Sequence, residues 1–337
     1  MLGRRDFLRA LGLSGVGVLA GSALRPARAW AKAADAAPEL IVRNTWPEHW
    51  ETTIEALGRA YYTANGRFFV RSHFPVPEVD AAAWRLEVSG LVERPLSLSL
   101  AELKKLPQVD AVHTLECAGN GRGLYHLPST AGTQWERGAV GNARWAGPLL
   151  STLLALRMNG DALPRLHGAP ARIVVPGWYG MASTKWVTRV RLEATPSDNH
   201  WIARGYRYVY PGEDATKAAP VETIRPKSLI TRPLEGSEVH GSRVRVEGFA
   251  WAGPSGVKLV EISADDGATW LPARLESDAT GTAWRQWSYD LPLGRPETVH
   301  LVARATDGSG ESQPAEARAN ASGYANNSMH RVSFRVD

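Results

Sequence analysis

Hydrophobic and polar positions alternate along the C-terminal third of the chain, in short segments separated by turn sequences. Alternation with a period of two predicts strands with one buried face, and Asp-Gly pairs are typical of the turns between such strands. Short strands in this arrangement predict an antiparallel β-sandwich of immunoglobulin-like size, without the cysteine pair of true immunoglobulin domains. The predicted strands cover residues 243–249, 257–263, 284–289, 299–305 and 332–336.

The segment before residue 226 has a mixed pattern. Residues 86–92 predict a strand, and Ser99 is a suitable N-cap for a short helix that follows it. Residues 172–175 predict a buried strand that leads into a turn, and no βαβ rhythm or internal repeat is present. We therefore expect an α+β domain over residues 30–225, followed by the β-sandwich over residues 226–337.

The first 29 residues have the pattern of an export signal. Arg4 and Arg5 form a twin-arginine pair, an uncharged segment follows over residues 10–24, and Ala27-Arg-Ala29 resembles a cleavage site. A membrane anchor is the alternative, but the uncharged segment is short and rich in glycine and serine for a spanning helix. The sequence predicts export of a folded protein to the periplasm by the twin-arginine route.

The charge balance argues against a nucleic-acid partner. The sequence has 39 basic and 34 acidic residues, which give a formal net charge of +5. Arginines of the predicted signal supply most of this excess, so the remaining chain is close to neutral. No basic tract is left to bind nucleic acid, and no other segment is long and apolar enough to span a membrane.

Cys117 is the only cysteine of the 337 residues, so the chain has no internal disulfide and no Cys-x-x-Cys metal or haem site. Its possible roles are a buried structural residue, a catalytic nucleophile and a single soft metal ligand. The following Ala-Gly-Asn-Gly turn has small side chains, which let a bulky group approach the backbone. Arg122 adds a cation that favours the thiolate. The turn therefore predicts a ligand site.

Three further clusters of polar residues flank turns in the same predicted domain. Arg and Lys bind phosphates, glycine turns admit a flat ring, and Trp shields a site from water. We expect the clusters to converge with the Cys117 turn on one polyanionic ligand. They are Arg71 with His73, then His167 and Arg172 with Ser183, Thr184 and Lys185, and finally His200 and Trp201 with Arg204 and Tyr206.

These segments, in this order, resemble the sulfite oxidase family of molybdenum enzymes. The resemblance rests on Arg-x-His-x-Pro-Val-Pro at Arg71, Cys-Ala-Gly-Asn-x-Arg at Cys117, Ala-Arg-Trp-Ala-Gly at Ala143, Val-Pro-Gly at Val175, and Lys185-Trp. It extends from Phe69 to the C-terminus, where the sandwich is similar to the dimerisation domain of that family. The resemblance implies a pyranopterin molybdenum cofactor, with Cys117 as the protein ligand of the metal.

The resemblance also implies the residues of the site. Segments that hold the cofactor correspond to Phe69, Val70, Arg71, Ser72, His73, Cys117, His167, Arg172, Ser183, Thr184 and Lys185. The substrate pocket beside the metal corresponds to Arg71, Arg122, Trp135 and Tyr206. Two positions depart from the family pattern. Residues 148–157 replace a longer segment that includes an acidic pterin contact, and Lys258 stands near the place of a further pocket arginine.

The implied function is oxidation of sulfite to sulfate by oxygen-atom transfer in the periplasm, with electrons passed to a separate c-type cytochrome. No intrinsic haem is expected, because one cysteine cannot form the Cys-x-x-Cys-His attachment. A homodimer through the C-terminal domain is a further expectation. The alternatives are a related molybdenum enzyme that acts on another oxyanion or a sulfoxide, and a cofactor-free exported binding or scaffold protein.

Overall fold

The structure is a computed structural model that describes residues 39–125, 130–277 and 281–337, so the predicted signal peptide lies outside the described residues. Within them the chain is mostly β, with two short α-helices, α1 (Ile54–Leu57) and α2 (Leu100–Lys105). The helical share of the first predicted domain is smaller than the α+β prediction implies. Extended segments, rather than helices, carry most of its buried apolar residues.

The N-terminal part is built from four sheets. The largest has six strands in the order β10-β9-β7-β8-β11, with β6 paired along β7, and the others are β1-β2-β3, β12-β4-β5 and β13-β14. The strands are β1 (Leu40–Asn44), β2 (His49–Thr52), β3 (Val70–Arg71), β4 (Arg85–Gly90), β5 (Leu96–Ser99), β6 (Gln108–Glu116), β7 (Val140–Leu150), β8 (Thr152–Ala155), β9 (Arg157–Met158), β10 (Asp161–Ala162), β11 (Arg172–Val174), β12 (Arg189–Leu192), β13 (Arg207–Tyr208) and β14 (Ala219–Pro220).

The local predictions for this part are confirmed. The strand expected over residues 86–92 is β4, and the one expected from residue 172 is β11. Ser99 caps α2 in a capping box, in which its hydroxyl oxygen accepts from the Glu102 N–H and its own backbone N–H donates to the Glu102 carboxylate. Such a box satisfies backbone donors that the first helical turn leaves unpaired.

The C-terminal part contains two sheets that share one core. Val246 and Trp287 of the first sheet pack with Val260, Leu301 and Val332 of the second. All five predicted strands are confirmed, whereas an immunoglobulin-like strand order stays a prediction. The sheets are β15-β17-β21-β20 and β16-β23-β22-β18-β19. Their strands are β15 (Lys227–Arg232), β16 (Glu238–Val239), β17 (Arg243–Trp251), β18 (Val257–Ser263), β19 (Leu271–Pro272), β20 (Arg274–Leu275), β21 (Arg285–Pro292), β22 (Glu297–Asp307) and β23 (His330–Val336).

A second apolar cluster joins the two parts of the chain. Ala118 and Tyr206 from the N-terminal part pack with Phe249, Trp251 and Trp284 from the C-terminal part. The Phe249 and Trp284 rings stack with centroids 4.2 Å apart. Ala118 follows Cys117 directly, so the cysteine turn lies at this junction. In the described part of the chain, no helix has the length and apolarity needed to cross a membrane.

Candidate functional site

The Cys117 turn begins where β6 ends. The Cys117 N–H donates to Ala139 O at 2.9 Å, and the Asn120 N–H donates to Cys117 O at 2.9 Å. Gly121 has a φ of +89°, and a Cβ there would lie 2.9 Å from the Cβ of Asn326, so only glycine fits. The cysteine side chain is half-buried at the edge of an apolar cluster. Structural cysteines are typically fully buried, so this partial exposure favours a ligand role.

Arg122 holds the turn against two other segments. Its Nε donates to Ser322 O at 2.8 Å and its Nη1 donates to Thr133 O at 3.0 Å. The guanidinium carbon lies 5.3 Å from the centre of the Tyr324 ring. A Cβ on Gly119 would lie 2.8 Å from Nη2, so this nitrogen is next to the cysteine turn. Arg122 therefore braces the turn and also adds positive charge beside Cys117.

Tyr206 marks the point where the predicted pocket residues meet. A hydrogen bond of 3.1 Å joins its hydroxyl to Nε2 of His73, and its ring stacks on Tyr324 at 5.1 Å. Burial raises the pKa of Tyr206, and the Arg71 guanidinium partly opposes this effect while the Cys117 side chain adds to it. The phenol consequently keeps its proton at neutral pH. The structure thus brings Arg71, Cys117 and Tyr206 around one site.

Four predicted residues contribute chiefly packing or backbone. Trp135 is 1% exposed and belongs to the apolar cluster at whose edge Cys117 lies, so it supports the turn from the core side. Phe69 and Val70 are also buried. Thr184 accepts a backbone hydrogen bond through its carbonyl oxygen.

A second group of predicted residues forms a cationic cluster, in which Arg172 is buried and Lys185 is partly buried. Arg172 is 5% exposed and donates to the carbonyl oxygens of His167 and Ser183, both at 3.0 Å. The Lys185 ammonium donates to the Ser72 hydroxyl at 2.8 Å. Burial lowers the pKa of Arg172 to about 9 and holds the pKa of Lys185 well below its usual value. Among the described residues, neither cation forms an ion pair with a carboxylate.

This cluster fits an anionic cofactor. Nε of Arg172 is buried and has no hydrogen-bond partner within the described residues. Buried cations without counter-charge are costly, and a phosphate would supply both charge and acceptors. No three His, Cys, Asp or Glu side chains of the described chain are grouped to hold a metal. Cys117 offers one thiolate, a ligand that suits a soft or high-valent metal.

Two histidines link the clusters, and one of them was not predicted. The His73 ring packs against Trp201 in a tilted arrangement with centroids 3.8 Å apart, and burial lowers the pKa of His73 to about 3. His49, in β2, contacts Ser72 O through Nε2 at 2.8 Å and the Thr133 hydroxyl through Nδ1 at 2.6 Å. The sequence did not indicate His49, because no other predicted site residue lies near it in the chain. It did not indicate Tyr324, because this residue lies far along the chain from the cysteine.

The two departures from the family pattern have clear positions. Residues 148–157 form the end of β7, β8 and the start of β9, with a tight turn at Ser151, whose φ is +62°. Lys258 is exposed on β18.

The chain is similar to known molybdopterin oxidoreductases. Residues 73–155 and 150–201 match the family described as oxidoreductase molybdopterin binding domain, and residues 219–337 match the Mo-co oxidoreductase dimerisation domain. Mitochondrial sulfite oxidase of Rattus norvegicus is 32% identical, and the alignment covers 89% of this chain and 66% of that protein. Sulfite oxidase of Gallus gallus is 32% identical, with 82% of this chain and 73% of that protein aligned. The chain thus spans about two thirds of the length of its rat relative.

A solved structure has the same fold. The sulfane dehydrogenase SoxCD from Paracoccus pantotrophus superimposes with a TM-score of 0.78 and 23% identity, covering 95% of both chains. At this identity the likeness concerns the fold alone. The identity to the sulfite oxidases over most of the chain, together with the two matched domains, establishes the family. This chain belongs to the sulfite oxidase family of molybdopterin oxidoreductases.

Proposed function

We propose that this chain is a periplasmic, homodimeric molybdenum enzyme that oxidises sulfite to sulfate and passes the electrons to a c-type cytochrome. Sulfite and water become sulfate, with release of two electrons and two protons. The bound cofactor would supply the metal that exchanges the oxygen atom and the electrons. One observation carries the proposal: the half-buried Cys117 lies near Arg71, and the next residue, Ser72, joins a cationic cluster that has no carboxylate partner among the described residues.

The cationic cluster would hold the cofactor. Arg172 and Lys185 offer hydrogen-bond donors to a phosphate. Within the described residues, Nε of Arg172 has no acceptor and could donate to it. Burial lowers the pKa of His167 to about 3, so this imidazole is neutral and adds no further positive charge. A site with two cations, of which Arg172 is buried, would bind the phosphate strongly, because charge-assisted hydrogen bonds gain strength away from water.

The pocket residues would bind the anionic substrate. Arg71 and Arg122 place positive charge beside Cys117, where a small oxyanion needs compensation. Tyr206 keeps its phenolic proton because burial raises its pKa, so it can donate a hydrogen bond to a bound oxygen. The arginines would attract and orient the anion, while the packed Trp135 side keeps water out.

A second candidate is oxidation or reduction of another oxyanion or of a sulfoxide. One observation favours it. Lys258 stands near the position where the resemblance implies a further pocket arginine, yet Lys258 is exposed on the sandwich. A less charged substrate needs fewer cations in the pocket. Steady-state assays in both directions, with sulfite and with sulfoxides, separate the two candidates.

The test begins with elemental analysis of the full chain from a host that makes the molybdenum cofactor. Wild type should contain molybdenum and reduce cytochrome c when sulfite is added. Cys117→Ser should fold but lose the thiolate-to-metal absorption and almost all activity, because a serine oxygen is a harder ligand than a thiolate. Lys258→Met is the matched control and should retain both. Wild type without molybdenum would favour the cofactor-free binding protein, and an unchanged spectrum in Cys117→Ser would refute the ligand assignment.

A further inference from the structure

A buried charge pair lies directly beside the cysteine turn. Glu116, the last residue of β6, has no solvent exposure, and Lys227, the first residue of β15, is 5% exposed. The Lys227 ammonium and the Glu116 carboxylate form a close ion pair. Trp251 Nε1 and Asn120 Nδ2 also donate to the same carboxylate, each at 2.9 Å. The carboxylate therefore has three donors in a site closed to water.

These donors come from both parts of the chain. Lys227 and Trp251 are register partners on β15 and β17, so one end of the C-terminal sheet presents two of the donors side by side. Asn120 belongs to the cysteine turn itself, and its side-chain oxygen accepts from the Ala139 N–H at 3.1 Å. The Cys117 N–H donates to the carbonyl of the same Ala139. The network thus encloses the backbone of the cysteine.

The pair is better suited to fixing geometry than to adding stability. Removing two charges from water costs much of what their attraction returns, and apolar residues of similar size often serve stability equally well. Burial lowers the pKa of Lys227 and the Glu116 carboxylate raises it, so the two effects oppose each other. Apolar residues could not fix the orientation of the turn in this way, because three donors converge on two carboxylate oxygens only in one arrangement.

We propose that Glu116 and Lys227 are positioning residues that hold the Cys117 turn against the C-terminal sheets, so that docking of the two parts sets the orientation of the thiol. The positioning of the turn does not depend on the proposed function. Its effect on a bound metal does rest on the proposed function. A sheet of the dimerisation domain then takes part in shaping the metal site.

Cys117 is the only cysteine of the sequence, so thiol labelling reports on this turn alone. The experiment measures the rate at which a maleimide labels the full chain, prepared without cofactor and in native buffer. Glu116→Gln leaves a single acceptor oxygen for three donors, and Lys227→Met removes one donor while keeping length and apolar contact. Each should label about tenfold faster than wild type, because the turn opens more often.

Three comparisons separate positioning from general stabilisation. The double variant Glu116→Gln with Lys227→Gln replaces the ion pair by an amide pair and should return the labelling rate towards wild type. Lys258→Met removes an exposed lysine of the same sheets and should stay within about twofold of wild type, as is usual for surface changes. Val260→Ala destabilises the sandwich core without contacting the turn, and it should not accelerate labelling when the chain remains folded.

Two results would overturn the proposal. A wild-type labelling rate in Glu116→Gln overturns the proposal, even if Lys227→Met fails to fold. Equal acceleration in Val260→Ala, at matched free energy of unfolding, also overturns it, because the pair would then act on stability alone. In molybdenum-loaded protein, the thiolate-to-metal absorption should shift in Glu116→Gln but not in Lys258→Met. If wild type binds no molybdenum, the proposed function fails while the labelling result still tests the positioning pair.

Discussion

Replacing Arg122 by glutamine tests whether this residue braces the cysteine turn, binds the substrate, or does both. Its guanidinium donates to Ser322 O at 2.8 Å and Thr133 O at 3.0 Å, and the residue is 7% exposed. A hydrogen bond from a charged group contributes about 1.5–3 kcal/mol, and glutamine can replace at most one of the two. We therefore expect the free energy of unfolding to fall by about 2–3 kcal/mol.

The same substitution should weaken substrate binding. Nη2 lies next to Gly119 of the cysteine turn, where it adds charge for an oxyanion. Loss of one charged partner raises the KM for sulfite about ten- to hundredfold, which corresponds to the same range of energies. Competition by sulfate should become weaker in parallel, because sulfate would use the same cation.

Two measurements on one preparation separate the roles. Urea denaturation of the cofactor-free chain gives the free energy of unfolding, and the KM is measured at known molybdenum occupancy. Arg331→Gln is the control, because Arg331 is an exposed arginine that pairs with Asp266 on the sandwich. A lower stability with an unchanged KM would leave only the bracing role, and an unchanged stability with a raised KM only the pocket role. If neither quantity changes, the reasoning about Arg122 is refuted.

Three further predictions follow from the sequence and the structure. Replacing Arg4 and Arg5 by lysine should retain the precursor in the cytoplasm, since the receptor recognises the pair itself; cell fractionation checks this, and efficient export would count against the signal. Tyr206→Phe should lower kcat more than it raises KM in stopped-flow and steady-state assays, because it removes only a hydroxyl hydrogen-bonded to His73; an unaltered kcat would exclude that hydroxyl from turnover. Stability should also fall in acid. Burial holds the pKa of His330 well below 6.5, so below pH 6.5 the unfolded chain takes up a proton that the folded chain does not. At pH 5.5 this costs about 1.2 kcal/mol relative to neutral pH. Urea unfolding at both pH values checks the loss, and His330→Asn, which can still accept from the Ile230 N–H, should reduce it. An equal loss in that variant would assign the effect to other groups.

Local structure was largely predictable from the sequence. Period-two alternation predicted β17, β18 and β22, because one face of each strand packs in the sandwich core. Ser99 predicted the start of α2, since a cap and its partner lie three residues apart in sequence. The small residues after Cys117 predicted a turn open to a ligand, and Gly121 indeed has a backbone conformation that favours glycine. In each case the determining contacts are close together in the chain.

Tertiary structure decided what no local pattern contains. His49 and Tyr324 reach the site from segments far from the cysteine, and only the packing of β2 and of the segment before β23 places them there. Lys258 was a candidate by sequence position, yet it lies exposed on β18. The pairing of Glu116 with Lys227 joins residues 111 positions apart. Propensity and periodicity depend on neighbours along the chain, whereas burial, charge pairing and pKa depend on which surfaces meet when the chain is folded.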